Sequence, residues 1–351
     1  MNKKTLCIDL RMHNASGIGR YITNIVPYLL DSFNVILLGQ KSEVLEKYSW
    51  AKNLDTIDCS AKIYSIKEQF ELFLKVPKCD IFWSPHYNVP ILPIRAKKRI
   101  VTIHDVYHLA FADTLSLMQK VYSKLVMDAA VHKSDTVLTD SEFSKNEINK
   151  FIPNKKQIEI VYCAVDGLNL IQNSVKPYDF DYILYVGNVK PHKNLKRSIE
   201  AYKLLGLQNI KFVIVGKKDN FITTDDNTLE MADDNIIFTG LVPDEKLMAL
   251  YRYAKAFIFI SLYEGFGLPP LEAQINGCPV LTSTCASLPE VCGKGALYCN
   301  AYNIDDISEK LQLILSDEIL RGKLIENGLE NIKRFSWQKS ANTIIEIFKK
   351  L

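Results

Sequence analysis

Ser261-Leu262-Tyr263-Glu264-Gly265-Phe266-Gly267-Leu268-Pro269-Pro270-Leu271-Glu272 sets two carboxylates, Glu264 and Glu272, on either side of a Gly-Phe-Gly turn. Upstream, Ala256 to Leu262 is a short apolar run with the length and the β-branched and aromatic content of a buried parallel strand. Downstream, Pro269-Pro270 opens a helix, since proline is tolerated in a first turn, and Leu271 to Ile275 carries it on. Gly265, Phe266 and Gly267 therefore fill a strand-to-helix turn. Glycine there lets backbone N–H groups approach a ligand closely, and the start of the helix favours an anion such as phosphate. Both glutamates can accept hydrogen bonds from hydroxyl groups. The plain alternative is a strand-helix junction with two solvated glutamates.

The same alternation of short apolar runs and amphipathic segments extends in both directions, the pattern of parallel sheets covered by helices. In the first half, Thr5 to Leu10, Phe33 to Leu38, Ile81 to Ser84, Ile100 to Ile103, Thr136 to Thr139 and Ile158 to Val161 read as strands, with helices notably at Gly19 to Leu30 and Leu115 to His132. In the second, Tyr182 to Val186, Phe212 to Val215, Ile236 to Phe238, Ala256 to Ile260, Val280 to Thr282 and Ala296 to Tyr298 do so. Asp166 to Asp181, with Pro177 and several Asn and Asp residues, reads as the linker. The expected domains are 1–168 and 169–336. The amphipathic segment 337–351 reads as a helix that packs on one domain or bridges to the other. Two doubly wound domains facing each other make a cleft at the carboxyl ends of their strands, where ligands of such sheets bind.

Composition narrows the classes. The 351 residues are 48% apolar and 24% charged, ordinary for a globular protein of two domains. A formal net charge of +3 gives no argument for nucleic acid. No run of eighteen apolar residues predicts a membrane span, and Asp9 and Arg11 interrupt the apolar run after Met1-Asn2-Lys3-Lys4 before it reaches signal-peptide length. A cytoplasmic chain is expected. Cys278, Cys285, Cys292 and Cys299 recur every seven residues, yet Pro279, Pro289, Gly293 and Gly295 rule out one continuous helix and no Cys-x-x-Cys clip exists. Reduced thiols and no metal are the expectation.

Further polar motifs fall where strands end. Ser16-Gly17-Ile18-Gly19-Arg20-Tyr21 follows the first strand and suits either close backbone approach to a phosphate or acceptor, or a tight turn without a ligand. His104-Asp105 follows the strand Ile100 to Ile103, so its imidazole can donate to a hydroxyl or a developing charge. Lys193 follows Gly187-Asn188-Val189-Lys190-Pro191-His192 and precedes a helix, where ammonium and helix start can converge on a diphosphate. Phosphate and polyol chemistry together suggest a nucleotide sugar. A basic cluster, Arg95, Lys97, Lys98 and Arg99, is compatible with an anionic membrane leaflet, although a charge run is more often a solvated face.

Taken together these motifs resemble the retaining glycosyltransferases of family 4, over nearly the whole chain. The most specific element is the family's Glu-x7-Glu motif, here Glu264 and Glu272, followed by Gly277-Cys278-Pro279-Val280 and Ser287-Leu288-Pro289-Glu290. Supporting matches are the Ser-Gly-Ile-Gly-Arg-Tyr loop, Ile103-His104-Asp105, Asp140-Ser141-Glu142-Phe143-Ser144, Val186-Gly187 through Lys193-Asn194, and Phe335-Ser336-Trp337. The combination is most similar to the bacterial mannosyltransferase-like branch that builds O-antigen and other surface polysaccharides.

The resemblance implies the α/β GT-B architecture of two Rossmann-like domains and a metal-independent transferase with no cofactor. It implies a nucleotide diphosphate sugar donor, GDP-mannose first, and a saccharide or lipid-linked glycan acceptor. It also implies that the last helix, 337–351, crosses back to the first domain, while the basic cluster at 95–99 leaves open a peripheral association with the cytoplasmic face of the inner membrane. Residue by residue, it assigns Glu264 to hydroxyls of the donor sugar and Glu272 to the ribose. Lys193 falls to the diphosphate with the N–H groups of Phe266 and Gly267, His104 to the region of the reacting carbon, and Gly17 to the phosphate or acceptor side. Two departures stand out. Asn188 and His192 occupy places where many relatives carry an arginine, and Cys163-Ala164-Val165-Asp166 replaces the Asn-Gly that often marks the domain joint. The competing readings are a nucleotide-sugar epimerase or hydrolase of the same fold and a non-catalytic scaffold of a glycan synthase complex.

Overall fold

The apolar runs of the first half become seven strands: β1 (Thr5–Asp9), β2 (Asn34–Gly39), β3 (Asp55–Asp58), β4 (Cys79–Ser84), β5 (Ala96–Thr102), β6 (Thr136–Thr139) and β7 (Ile158–Ile160). In the computed structural model, which describes residues 3–165, 175–216 and 227–351, they form one parallel sheet in the order β3-β2-β1-β4-β5-β6-β7. Leu6, Cys7 and Ile8 of β1 are fully buried, since helices cover both faces of a parallel sheet. The edge strand β3 was not foreseen. Its sequence, Asp55-Thr56-Ile57-Asp58, offers no apolar run, because only one of its sides pairs and its ends meet solvent.

The chain divides into two units, Met1–Cys163 with Ser336–Leu351, and Ala164–Phe335. The last helix, Trp337–Lys350, completes the first. Its apolar stripe Trp337, Ala341, Ile344 and Phe348 is buried, and the Phe348 ring meets Trp83 of β4 edge to face at 5.6 Å. Phe33 lies 6.0 Å from the same ring, and the Ser340 hydroxyl donates to the Tyr162 carbonyl at 2.6 Å.

The second unit repeats the grammar with β8 (Asp181–Val186), β9 (Ile210–Val215), β10 (Ile236–Gly240), β11 (Ala256–Phe259), β12 (Val280–Ser283) and β13 (Ala296–Cys299). They are parallel, in the order β10-β9-β8-β11-β12-β13. Tyr185, Phe212, Phe257 and Phe259 fill its core, each worth roughly 1.5–3 kcal/mol of burial. Of the linker segment read from the sequence, 166–174 lies outside the described residues.

Strand order fixes where a ligand can enter. In the first sheet succession reverses between β1 and β4, in the second between β8 and β11. Loops leaving such a pair run in opposite directions and leave a crevice at the strands' carboxyl ends. All eight cysteines are free.

Candidate active site

The reversal point of the second unit brings together residues 71 positions apart. Lys193 ends a short helical turn, Pro191–Lys193, after β8; Glu264 lies in the loop after β11. The Lys193 ammonium donates to both carboxylate oxygens of Glu264, at 2.6 and 2.7 Å. The same Nζ sits 5.5 Å from the centre of the Phe259 ring. Neither group is sealed off, with side-chain exposures of 20% and 11%. Their loops are bolted together beneath them: the His192 carbonyl accepts from the Leu262 N–H at 2.7 Å and from the Ser261 hydroxyl at 3.0 Å. Asn194, left-handed at φ 57°, then turns the chain into the helix Leu195–Leu204 and donates its amide to the Ala301 carbonyl. Asparagine is among the few non-glycine residues suited to that conformation.

Glu264, Phe266, Gly267 and Glu272 follow one continuous path. Gly267 has φ 113°, open to glycine, and leads into the helix Leu268–Ile275. Pro269 and Pro270 remove two N–H groups from that helix's first turn, so donors for an anion concentrate on the residues just before them. The Ser287 hydroxyl holds the turn through the carbonyls of Glu264 (2.9 Å) and Phe266 (2.6 Å). Phe266 packs edge to face on Phe335 at 5.6 Å. Glu272, one turn into the helix, accepts from the Tyr251 hydroxyl at 2.9 Å, which orients its carboxylate. Burial, and then the Glu264 charge, push the Tyr185 phenol far above its ordinary range, so Tyr185 remains a neutral donor beneath the site.

The two other sequence-derived residues belong to the first unit. Gly17 is exposed in the first turn of the helix Ser16–Leu29, after β1. The glycine that the fold itself requires is Gly19, where a Cβ would stand 2.4 Å from the His13 carbonyl oxygen. His104 follows β5, but its ring is already engaged: Nδ1 lies 2.5 Å from Asp140 Oδ2 and Nε2 lies 3.0 Å from the Pro85 carbonyl oxygen. Both partners can accept, so the doubly protonated ring is the form that satisfies both contacts. Burial opposes that charge, but Asp140, the Pro85 carbonyl and Asp105 outweigh it and raise the pKa above its ordinary value. A ligand hydroxyl must therefore displace Pro85 to reach this ring.

Asp140 also faces Cys163, and the potential ligand atoms of His104, Asp140 and Cys163 lie within 4.8 Å of one another. Burial, and then Asp140, push the Cys163 thiol well up, so it keeps its proton at neutral pH. The three form one cluster, in which Asp140 partners both the His104 ring and the Cys163 thiol.

Sequence reasoning missed a buried polar network at the first unit's own reversal point. Arg11, just after β1, is clamped by Asp9 (Nη2 to Oδ2, 2.5 Å) and by Glu68 (Nη1 to Oε1, 2.5 Å). Asn88 donates to Glu68 at 2.6 Å, and His86, after β4, places Nε2 3.3 Å from Asp9. Burial alone would raise the Asp9 carboxyl, but Arg11 and His86 hold it well below the usual range. The available signal was Asp9 and Arg11 closing an otherwise apolar strand, a place where charge requires a buried partner. The basic cluster has the opposite fate. Lys97 pairs with Asp80, Lys98 with Asp135, Arg95 donates to the Val76 and Leu74 carbonyls, and Arg99 to those of Pro90 and Leu92.

The family described as "Glycosyl transferases group 1" matches residues 168–331. O-antigen chain mannosyltransferase B of Escherichia coli is 28% identical over 290 residues, 77% of this chain and 74% of that protein. O-antigen chain mannosyltransferase RfbU of Salmonella typhimurium is 28% identical over 240 residues, 68% of this chain and 65% of that protein. Among solved structures, Anabaena Alr3699/HepE in complex with UDP-glucose superposes with a TM-score of 0.79 at 12% identity, over 99% of this chain and 100% of that one. The two Rossmann-like sheets and these matches make the chain a glycosyltransferase of the GT-B fold, similar over residues 168–331 to the group 1 glycosyl transferases and over most of its length to bacterial O-antigen mannosyltransferases.

Proposed function

We propose that this glycosyltransferase moves a mannosyl group from a nucleoside diphosphate sugar, GDP-mannose first, to a lipid-linked saccharide acceptor, with retention of configuration and without a metal ion. The setting is synthesis of a surface polysaccharide such as O-antigen, at the cytoplasmic face of the inner membrane. Support comes from the O-antigen mannosyltransferases of Escherichia coli and Salmonella typhimurium among the relatives, and from the nucleotide sugar held by HepE. None of the described helices is long and apolar enough to cross a membrane, which is compatible with the peripheral association proposed.

The observation that carries the reading is the Lys193–Glu264 pair at the β8/β11 reversal point. An entering diphosphate competes for the ammonium, which has three donors, and leaves Glu264 able to accept from sugar hydroxyls. As the anomeric bond breaks, charge grows on the leaving diphosphate and Lys193 meets it with the N–H groups of Phe266 and Gly267, an electrostatic clamp set before reaction. The leaving phosphate then helps to take the acceptor's proton, which makes Glu264 a binder of the donor sugar. Glu272, oriented by Tyr251, suits the ribose. His104 and Gly17 are assigned to the reacting carbon and to the phosphate or acceptor side.

A panel of nucleotide sugars tests the proposal by thermal shift and by radiolabel transfer to lipid-linked acceptor. GDP-mannose is expected to raise the melting temperature, as any ligand of the folded state does, and to support transfer. Glu264→Ala and Lys193→Ala should each lower transfer by about 10²–10³-fold while remaining folded. Full turnover by either folded variant removes that residue from the site, and stabilisation by a different nucleotide sugar alone overturns the choice of donor.

A further inference from the structure

Three neighbouring strands of the first sheet, β5, β6 and β7, each deliver one side chain with ligand atoms from the loop at the carboxyl end: His104, Asp140 and Cys163. Backbone pairing continues past the strands into these loops. The Ile103 N–H donates to the Leu138 carbonyl and the Val161 N–H to the Thr139 carbonyl, both at 2.8 Å. The Thr139 hydroxyl donates to the Ile103 carbonyl at 2.7 Å, and the Ser144 hydroxyl to the His104 carbonyl at 2.9 Å. One imidazole nitrogen, one carboxylate oxygen and one sulfur are thereby held within 4.8 Å of one another at the ends of rigid elements.

Two features of this trio go beyond proximity. The Pro85 carbonyl can only accept, so His104 Nε2, 3.0 Å from it, carries a proton, and Nδ1 is the nitrogen turned toward Asp140. A metal-binding histidine is oriented in the same way, its outer nitrogen donating to a carbonyl while the inner one faces the ion. The Asp140 side chain is 3% exposed, and among the described residues its Oδ1 receives no N–H or O–H hydrogen bond, which leaves lone pairs met only by the weak Cys163 thiol. The Tyr21 ring, 5.0 Å from that of His104, closes one side of the cluster. The way in is past the His104 side chain, which is 15% exposed.

We propose that His104 Nδ1, the Asp140 carboxylate and Cys163 Sγ form an inhibitory site for Zn²⁺ or a divalent cation of the same borderline softness, with the fourth position open to water. Carboxylate and thiolate match both charges of the ion, so the loaded cluster is neutral and suits its burial. Entry of the ion releases the thiol proton and the Nδ1 proton to solvent, with no change of oxidation state. Nδ1 and Asp140 Oδ2, now 2.5 Å apart, spread to the roughly 3.3 Å that neighbouring ligands of a tetrahedral ion keep, a movement within reach of side-chain rotation. The expectation of no metal followed from the lack of a Cys-x-x-Cys clip, which a site assembled from three strand ends does not need. The bound ion takes His104 away from Asp140 and locks the ring, so that it is lost to the transfer reaction. That last consequence rests on the placing of His104 at the reacting carbon.

The test is titration of the full chain, reduced and freed of metal by a chelator, with Co²⁺, whose bond to a thiolate gives a charge-transfer band in the near ultraviolet. Wild type is expected to show that band, and Zn²⁺ to abolish it by displacement. Cys163→Ser should lose the band and bind Co²⁺ at least about tenfold more weakly, since loss of a ligand costs no less than loss of an outer partner. Its circular dichroism and melting temperature without metal show whether it is folded, and Cys163→Ala serves as the second variant. Nucleoside diphosphate release by wild type should fall on addition of Zn²⁺ and return with EDTA, whereas Cys163→Ser should match wild type without metal and ignore Zn²⁺. No band in wild type, or an equal band in both folded cysteine variants, overturns the site, the second result by assigning the ion to another thiol. A band without inhibition keeps the site and removes His104 from the reacting carbon, so the two readings fail separately. Equal inhibition of wild type and Cys163→Ser overturns the inhibitory role.

Discussion

At the scale of the residue, His104 shows how much a polar side chain's surroundings decide. With both nitrogens donating to acceptors, its proton is bound more tightly in the folded chain than in the unfolded one. A raised folded pKa contributes stability that is full below the unfolded value of about 6.5 and is lost as pH rises through the folded value. Urea midpoints measured from about pH 5 to 9 should therefore fall with rising pH for wild type over that window, and fall less for His104→Gln. An unchanged slope in the variant would mean that the imidazolium is not the group responsible. The sequence placed His104 after a strand and gave it a ligand to touch. It could not show that Asp140 and Pro85, 36 and 19 residues away, already occupy both ring nitrogens.

At the scale of the element, the two glycines of Ser16-Gly17-Ile18-Gly19 separate folding from ligand approach. Gly19→Ala places a methyl 2.4 Å from a backbone carbonyl and should cost about 1–3 kcal/mol. Gly17→Ala, exposed in the helix's first turn, should leave stability unchanged or raise it by up to about 1 kcal/mol, and any loss of transfer then reports backbone approach to a ligand. Equal destabilisation by both, in urea unfolding, would refute that separation. Strands whose side chains are buried on both faces were legible, because burial on both faces demands an unbroken apolar run, as in Phe257 to Phe259. The edge strand β3 was not, and neither was the rotation of the helix Ile66–Lys75, which buries Glu68 and Gln69 and exposes Ile66, Phe70 and Leu74. An amphipathic period says that one face is apolar, and the usual presumption turns that face inward. Here a buried Arg11, 57 residues from Glu68, turned it outward.

At the scale of the whole molecule, the first unit is made from both ends of the described chain. Phe348, fully buried against Trp83 and Phe33, joins a core whose other members lie 265 and 315 residues earlier in sequence. Phe348→Ala should cost about 3–5 kcal/mol in that unit. Limited proteolysis should then find the first unit opening well before Ala164–Phe335, and simultaneous loss of both would contradict the division of the chain into two units. By itself the sequence determined the parallel sheets and the Gly-Phe-Gly turn between its two glutamates, because strand burial, proline at a helix start and glycine at a turn are local demands written in neighbouring residues. Only the tertiary structure decided that Lys193 grips Glu264, that Arg11 ties Asp9 to Glu68, and that the basic run at 95–99 is spent on partners within the first unit. Charges find their partners by distance in space, and strand order, which no single stretch of sequence records, sets those distances.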